Sequence, residues 1–204
     1  ASLITRARRR SAMGQYRLTR EDFEAGLDEC LALWVPSAKT ATAHPAINGR
    51  SDDKATAYPW PMSRQAAWLR DFFPGRAWIA VELHRGVDDG RCLQELLALG
   101  RCCGLPCVAA GDVHMHRRSR RRLQDVLTAI RHGCTVAEAG ARLFPNGERR
   151  LRTLCELQRL YPPELLKASL DIATRCRFSL TELHYDYPHE LVPAGRTASE
   201  HLRQ

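Results

Sequence analysis

Short apolar runs alternate with segments of helical periodicity in the first half of the chain. Three of these runs predict buried strands, over residues 31–35, 77–83 and 107–110. A helix over about residues 88–103 separates the second run from the third, and Gly104 signals its end. A strand, a crossover helix and a second strand at this spacing form a βαβ unit, in which the two strands are parallel. The pattern therefore predicts an α/β fold, as part of a sheet or a barrel.

Further helices are predicted before this unit. They are a basic helix over residues 1–12, a helix capped by Thr19, and a short helix over residues 63–72. Residues 37–61 are rich in Ala, Thr, Pro, Asn, Asp and Gly and show no periodicity, which predicts a long loop.

After Arg117 the pattern predicts only helices. One is amphipathic, with apolar residues at i, i+3, i+4 and i+7: Leu123, Val126, Leu127 and Ile130. A capping box of Thr135 and Glu138 predicts the start of another. A helix over about residues 163–178 is expected to bury Leu166, Leu170, Ala173 and Cys176. The tail over residues 183–193 is expected to be extended.

Composition and charge narrow the class of protein. With 44% hydrophobic and 26% charged residues, the chain is typical of globular proteins, which excludes disorder, collagen and coiled coil as its main state. No stretch approaches the roughly 18 apolar residues of a membrane span. The N-terminus also lacks the pattern of a signal peptide, so we expect a cytoplasmic protein with no membrane partner.

Arginine dominates the charge. The chain carries 31 Lys and Arg against 23 Asp and Glu, a net charge of +8, and its lysines are Lys39, Lys54 and Lys167. Arginine suits phosphate recognition because its planar fork of donors matches phosphate oxygens. A GC-rich genome produces the same bias without any functional demand, and both interpretations stay open.

The cysteines predict neither a disulfide framework nor a structural zinc site. Cys102, Cys103 and Cys107 lack the paired spacing of zinc ligands. The other five stand singly and are expected to be small buried apolar residues in reduced form: Cys30, Cys92, Cys134, Cys155 and Cys176.

Candidate chemistry lies where two of the predicted strands end. Asp112, His114 and His116 follow the third strand, and Glu82 and His84 end the second. Alternate residues of an extended segment share a face, and α/β proteins place their chemistry at the carboxyl ends of parallel strands. Carboxylates and imidazoles are ordinary ligands of zinc and manganese. The alternative interpretation is that these groups only close the end of the sheet with hydrogen bonds.

An arginine run opens the amphipathic helix. Its members are Arg117, Arg118, Arg120, Arg121 and Arg122. A helix N-terminus disfavours cations, so contact with an anion such as DNA phosphate is one interpretation. The other is a solvated charged surface.

Several long strings resemble a known family. They are ELHRG (82–86), GLPCVAAGDVHMH (104–116), RRRLQDVLTAIRHGCTVAEAG (120–140), RLFPNGERRL (142–151), DIATRCRFSL (171–180) and YDYPHELVPAGRTASEHL (185–202), with LITRARRR, YRLTREDFE and LALWVP before them. They are similar to the bacterial C-family replicative polymerases, in particular the error-prone branch of the DNA polymerase III alpha-subunit family. The likeness covers almost the whole chain.

The resemblance implies a slice of a longer DNA-directed DNA polymerase. That family begins with a polymerase and histidinol phosphatase (PHP) domain, a distorted TIM-like β/α barrel whose strand ends hold zinc or manganese. Residues 1–118 then form the C-terminal part of this barrel, and residues 119–204 form a helical connector toward the palm. The metal motifs that open the barrel are expected before Ala1, and the palm with its catalytic magnesium ions after Gln204.

The resemblance also assigns residues and partners. Asp112 and His114 match the closing D-x-H metal motif and His84 an earlier single-histidine ligand, while Glu82 and His116 match no motif. The metal site is therefore incomplete in this chain, and no residue of it is expected to be catalytic. DNA, a Y-family-like accessory protein and the sliding clamp are the implied partners, in lesion bypass during DNA repair. A stand-alone PHP-type phosphoesterase and an inactive truncated remnant are the alternatives.

Overall fold

The computed structural model describes residues 2–23, 27, 29–36, 62–183, 192 and 197–203. The predicted loop over residues 37–61 lies outside the described residues, as does nearly all of the predicted extended tail. The chain divides into two compact units, residues 1–172 and residues 173–204. The predicted change of domain after residue 118 stays a prediction.

Helices and a small parallel sheet make up the described structure, which is of the mixed α/β class. The strands are β1 (Ala32–Trp34), β2 (Ala77–Glu82) and β3 (Cys107–Ala110). The α-helices are α1 (Ser2–Arg9), α2 (Met62–Phe72), α3 (Asp89–Cys103), α4 (Arg121–Arg131), α5 (Val136–Ala139), α6 (Leu154–Leu160), α7 (Pro163–Arg175) and α8 (Ala198–Leu202). Short 3₁₀ helices cover Arg20–Phe23, Arg118–Arg120, Gly140–Arg142 and Leu180–Glu182.

The predicted βαβ unit is confirmed. The strands are parallel in the order β1-β2-β3, with Leu33 beside Trp78 and Val81 beside Ala109. Helix α3 links β2 to β3 and ends at Cys103. Gly104 follows as its C-cap, and its left-handed φ of 69° turns the chain so that Leu105 N also donates to the Gly100 carbonyl, at 3.0 Å. The predicted strand ends agree with the structure to within one residue.

The core covers both faces of β2, which explains why its sequence is a continuous apolar run. On one face, Ile79 and Val81 pack with Leu96 of α3 and Leu165 of α7. On the other face, Trp78 and Ala80 lie in a second cluster, which includes Val108, Leu31, Ala168 and Ile172.

Helix α4 forms where its periodicity predicts, but its apolar side is not covered by the described residues. The side chains that make this side are 44–69% exposed: Leu123, Val126, Leu127 and Ile130. The buried residue of the helix is Ala129. The amphipathic pattern is therefore present without a partner in this part of the protein.

The predicted buried face of helix α7 is wrong. The helix ends at Arg175 rather than at residue 178, and Leu170, Ala173 and Cys176 are exposed while Leu166 is half-buried. The residues of this helix that pack in the core are Leu165, Leu166, Ala168 and Ile172, so Leu166 is the one predicted position that packs. The packing of Ala168 and Ile172 near Trp78 selects this face over the neighbouring one.

Three further expectations at the level of local structure need correction. Helix α1 ends at Arg9 rather than at residue 12, and residues 20–23 form a 3₁₀ turn in which the Asp22 carboxylate accepts hydrogen bonds from Thr19 N and Oγ1. The five single cysteines are free but not buried. Cys30, Cys155 and Cys176 are exposed, and Cys92 and Cys134 are half-buried.

The second unit is small. It holds the last residues of α7, the 3₁₀ helix Leu180–Glu182 and α8. Capping boxes open both of the last two elements, from Ser179 with Glu182 and from Thr197 with Glu200. No helix among the described residues is long and apolar enough to cross a membrane.

Candidate metal centre

Three potential metal ligands meet at the carboxyl edge of the sheet. Glu82 is the last residue of β2 and lies beside Ala110, the last residue of β3. His84 and Asp112 follow these strand ends. One ligand atom from each of Glu82, His84 and Asp112 lies within 4.8 Å of the other two. The structure thus brings three of the five strand-end candidates into one cluster.

The backbone turns sharply at both strand ends. Arg85 and Asp112 have left-handed φ values of 55° and 40°. Non-glycine residues in this region are uncommon, although aspartate tolerates it better than most, and they are found preferentially at functional sites. The turn at Asp112 brings its carboxylate back toward the end of β2.

Tyr161 ties the two strand ends together from the core side. Its hydroxyl accepts a hydrogen bond from Leu83 N at 3.0 Å and donates one to the Ala110 carbonyl at 2.7 Å. The residue is 3% exposed; its hydrogen bond from Leu83 N is buried, and the one to the Ala110 carbonyl is partly buried. This bridge adds to the pairing of Glu82 with Ala110 in the sheet, and both contacts join the ends of β2 and β3.

Residues 146–152 cover the same edge from outside. Asn146 Nδ2 donates to the His84 carbonyl at 2.7 Å, and Arg152 Nη2 donates to the Leu83 carbonyl at 3.0 Å. Glu148 is buried and forms ion pairs with Arg85, Arg118 and Arg152. These bonds fix the segment against the end of β2.

His114 and His116 occupy different positions. His114 Nε2 lies 3.1 Å from Asp112 Oδ1, and its ring packs on Phe144 with a centroid separation of 4.8 Å. It touches the cluster through Asp112 but is not one of the three clustered ligands. His116 is exposed beyond the buried Met115 and is not brought to the cluster.

The Arg149 guanidinium also lies at the cluster. It forms an ion pair with the Asp112 carboxylate and stacks on Phe144, with its central carbon 4.6 Å from the ring centroid. The Arg149 carbonyl accepts hydrogen bonds from His114 N and Met115 N at 2.9 and 3.1 Å. This backbone pairing holds Arg149 beside the end of β3.

Burial and charge shift the protonation of the cluster. Desolvation raises the pKa of Glu82, and electrostatic interaction with neighbouring basic groups, Arg149 first, opposes that rise. Desolvation lowers the pKa of His84, and Arg149 lowers it further. Neutral imidazole is the form that binds a metal, so the environment of His84 favours ligation.

The donor set fits a divalent cation in part. Two carboxylates and one imidazole are suitable ligands for zinc or manganese, and their spacing allows shared coordination. A zinc ion takes four ligands as a rule, so one more is needed from His114, water or another part of the protein. Each Asp112 oxygen already has a partner, Arg149 on one and His114 on the other, so a metal ion would share or displace one of these contacts.

The arginine run does not act as a single patch. Arg118 pairs with Glu148, and Arg121 donates to the Phe144 carbonyl at 2.9 Å and pairs with Asp125. These two arginines hold the start of α4 to the segment that covers the cluster. The others are exposed, and no carboxylate of the described residues pairs with them: Arg117, Arg120 and Arg122.

Sequence reasoning missed the residues that surround the cluster. Arg149, Glu148, Arg152 and Tyr161 come from segments far along the chain and carry no motif of their own. One signal was available in the sequence: the string GERRLR holds a single acid among three arginines. An acid that becomes buried requires a charged partner, and these arginines are close to it in sequence.

Comparison with curated proteins finds relatives over the whole chain. The whole chain is 50% identical to a segment of a protein from Dechloromonas aromatica. It is 54% identical over 201 residues to one from Pseudomonas fluorescens and 52% identical over 201 residues to one from Pseudomonas aeruginosa.

The matched proteins are named error-prone DNA polymerase, which confirms the resemblance inferred from the sequence strings. The chain spans 17–18% of the length of these relatives, while 98–100% of the chain itself is matched. It is therefore homologous to one segment of an error-prone DNA polymerase. No family model matches the chain.

Proposed function

We propose that the chain is a segment of an error-prone DNA-directed DNA polymerase, to which it contributes part of a metal-binding PHP-type barrel. The observation that carries the proposal is the identity of about half of all positions to such polymerases over the whole chain. The carboxylate and imidazole cluster at the end of a parallel sheet supports the metal-binding part. The partial barrel consists of β1, β2 and β3 with the helices around them.

In this proposal His84, Asp112 and Glu82 hold a zinc or manganese ion, with His114 as a further ligand when its contact to Asp112 opens. A bound ion of this kind polarises oxygen atoms and lowers the pKa of water. The chain itself positions the ligands through Tyr161 and the segment 146–152. The nucleotidyl transfer of the parent protein, with magnesium, then belongs to the palm outside this chain.

The cellular role that we propose follows the parent polymerase. It is DNA synthesis past damage in the bacterial cytoplasm, as part of DNA repair and replication, with DNA as the main partner. An accessory protein of Y-family type and the sliding clamp are the proposed protein partners. The chain alone is expected to have no polymerase activity.

Contact with DNA is proposed for the exposed arginines Arg117, Arg120 and Arg122, which carry positive charge without a described ion pair. Replacement of all three by alanine in the full-length protein removes at most three phosphate contacts. The slope of log K against log salt is then expected to fall by up to about 3. An unchanged slope would count against this contact.

The size of the natural gene product tests the proposal first. A product several times heavier than 23.1 kDa is expected, since the chain is about 18% of its relatives' length. A product near 23.1 kDa would instead favour the stand-alone phosphoesterase, if phosphate release depends on added manganese or zinc and on Asp112. It would favour a remnant if there is no such release.

The metal role is tested in the full-length protein with Asp112→Asn and His84→Ala. Asparagine keeps the shape of the side chain and tolerates the left-handed backbone at this position. Both variants are expected to lose bound zinc or manganese, whereas the exposed His132→Ala serves as a control and keeps it. Equal metal content in all three variants and the parent would refute the metal role. Primer extension in the same proteins shows whether the metal supports polymerisation or only the fold.

A further inference from the structure

The cluster at the sheet edge already contains a positive charge. Arg149 pairs with Asp112 through its guanidinium, and the same group acts on Glu82 and His84 at a longer range. A guanidinium stays protonated in a protein under ordinary conditions. The two carboxylates are therefore neutralised in part by the protein itself.

The position of Arg149 is fixed by its neighbours. Its carbonyl is held by two backbone donors, at His114 and Met115. The residue before it, Glu148, is buried among three arginines, and the residue after it, Arg150, pairs with Glu156 at 2.5 Å. The backbone on either side cannot move without breaking these contacts, so the guanidinium is delivered to the cluster by the fold.

The guanidinium and a metal ion compete for the same ligand. Asp112 offers two oxygens, of which one contacts Arg149 and the other contacts His114. A second cation near Glu82, His84 and Asp112 would also be repelled by the charge on Arg149. The Arg149 side chain stacks on Phe144 and is 22% exposed. Part of it therefore already contacts solvent.

We propose that Arg149 is the resident cation of this cluster and that a divalent ion binds to Glu82, His84 and Asp112 only by displacing it from Asp112. Arg149 then sets the metal affinity of the site without being a ligand. This inference rests on the proposed metal role of the cluster and adds the group that opposes it.

The test measures zinc affinity in the full-length protein that carries this chain, by competition with a chromophoric chelator in the absence of magnesium. Three variants are compared with the parent. Arg149→Met keeps the length of the side chain but removes the charge, Arg149→Lys keeps the charge, and Arg131→Met removes an exposed arginine at the end of helix α4. Asp112→Asn in each background identifies the zinc that this cluster holds.

The zinc of this cluster is the zinc that Asp112→Asn removes. Arg149→Met is expected to bind it about 10- to 100-fold more tightly than the parent does, which is the range over which groups around metal ligands change affinity. Arg149→Lys and Arg131→Met are expected to stay within a few-fold of the parent. Thermal unfolding gives a second readout. Arg149→Met is expected to melt below the parent without zinc and to recover when zinc is added, because the ion takes over the role of the guanidinium.

Other outcomes separate the two proposals. If the parent binds zinc through Asp112 and Arg149→Met binds it equally or more weakly, Arg149 supports the ligands and the inference is wrong, while the metal role stands. If neither protein shows zinc that depends on Asp112, the metal role fails, and the inference fails with it.

Discussion

The hydroxyl of Tyr161 is expected to hold the two strand ends together, and Tyr161→Phe removes it while leaving the ring in the core. The Leu83 N–H loses its acceptor in a buried position, which costs about 1–3 kcal/mol. The Ala110 carbonyl loses a donor, which adds about 1 kcal/mol. Since the ring stays, there is no cavity, and the expected loss is about 2–4 kcal/mol of a domain stability of about 5–15 kcal/mol.

Urea unfolding followed by circular dichroism measures this loss, and hydrogen exchange of the peptide around Leu83 localises it. The midpoint is expected to fall without a change in the slope, because the surface exposed on unfolding is the same. Tyr16→Phe is the matched control, since Tyr16 is 69% exposed and its hydroxyl is free to bond water. A loss below about 0.5 kcal/mol, the usual range of surface substitutions, would refute the bridge, as would exchange at Leu83 that stays at the parent rate.

Three further predictions concern charge and exposure. Hydrogen bonds from Arg150 and from the Thr153 backbone hold the pKa of Glu156 at about 2, below its usual 4.5. The stability that this carboxylate gives is present above pH 4.5 and lost as the pH falls toward 2, so the deficit of Glu156→Gln in acid titrations by circular dichroism is expected to vanish over that interval. Glu148→Ala leaves Arg152 buried without its carboxylate and is expected to cost about 3–5 kcal/mol in urea unfolding. Leu127→Asp is expected to change the stability of the 204-residue chain by less than about 0.5 kcal/mol but to lower the melting temperature of the full-length protein by several degrees. Equal shifts in both would contradict burial of that side of α4 elsewhere in the polymerase.

The strands could be predicted because β2 is buried on both faces. A run such as residues 77–82 has few alternatives, since a continuous apolar segment of this length between turn signals suits a central parallel strand. The helix end at Gly104 and the helix start at Thr135 were also predictable, because each depends on residues that are neighbours in sequence. Each of these signals acts within a few residues of the chain.

Helix α7 shows where local signals fail. Its apolar residues lie on two overlapping faces, one through Leu166 and Leu170 and one through Leu165 and Ile172. Periodicity gives no reason to prefer either face. Contact with β2 decides between them, and that contact depends on the three-dimensional packing of residues far apart in sequence.

Only the strand-end residues of the candidate site were predictable from the sequence. Glu82, His84 and Asp112 end adjacent parallel strands, so their meeting follows from topology. Arg149 stands in an arginine-rich segment of an arginine-rich chain, where no single arginine is distinguished by its neighbours. The bridge between Met115 and Arg150 brings it to the cluster, and such a backbone pairing has no sequence signature.

Internal contacts offer a third reason for the arginine bias, beside genome composition and nucleic-acid binding. Arg76 donates to the carbonyls of Leu27 and Cys30, and Arg70 donates to that of Cys103. Around the buried Glu148, the guanidinium groups of Arg118 and Arg152 bind its carboxylate, and Arg152 also binds the carbonyls of Leu83 and Glu148. A lysine carries a more strongly hydrated charge and lacks the planar fork that reaches two acceptors at once. Several of the arginines therefore hold loops to the ends of the strands, and these guanidinium groups are already engaged within the protein rather than with DNA phosphates.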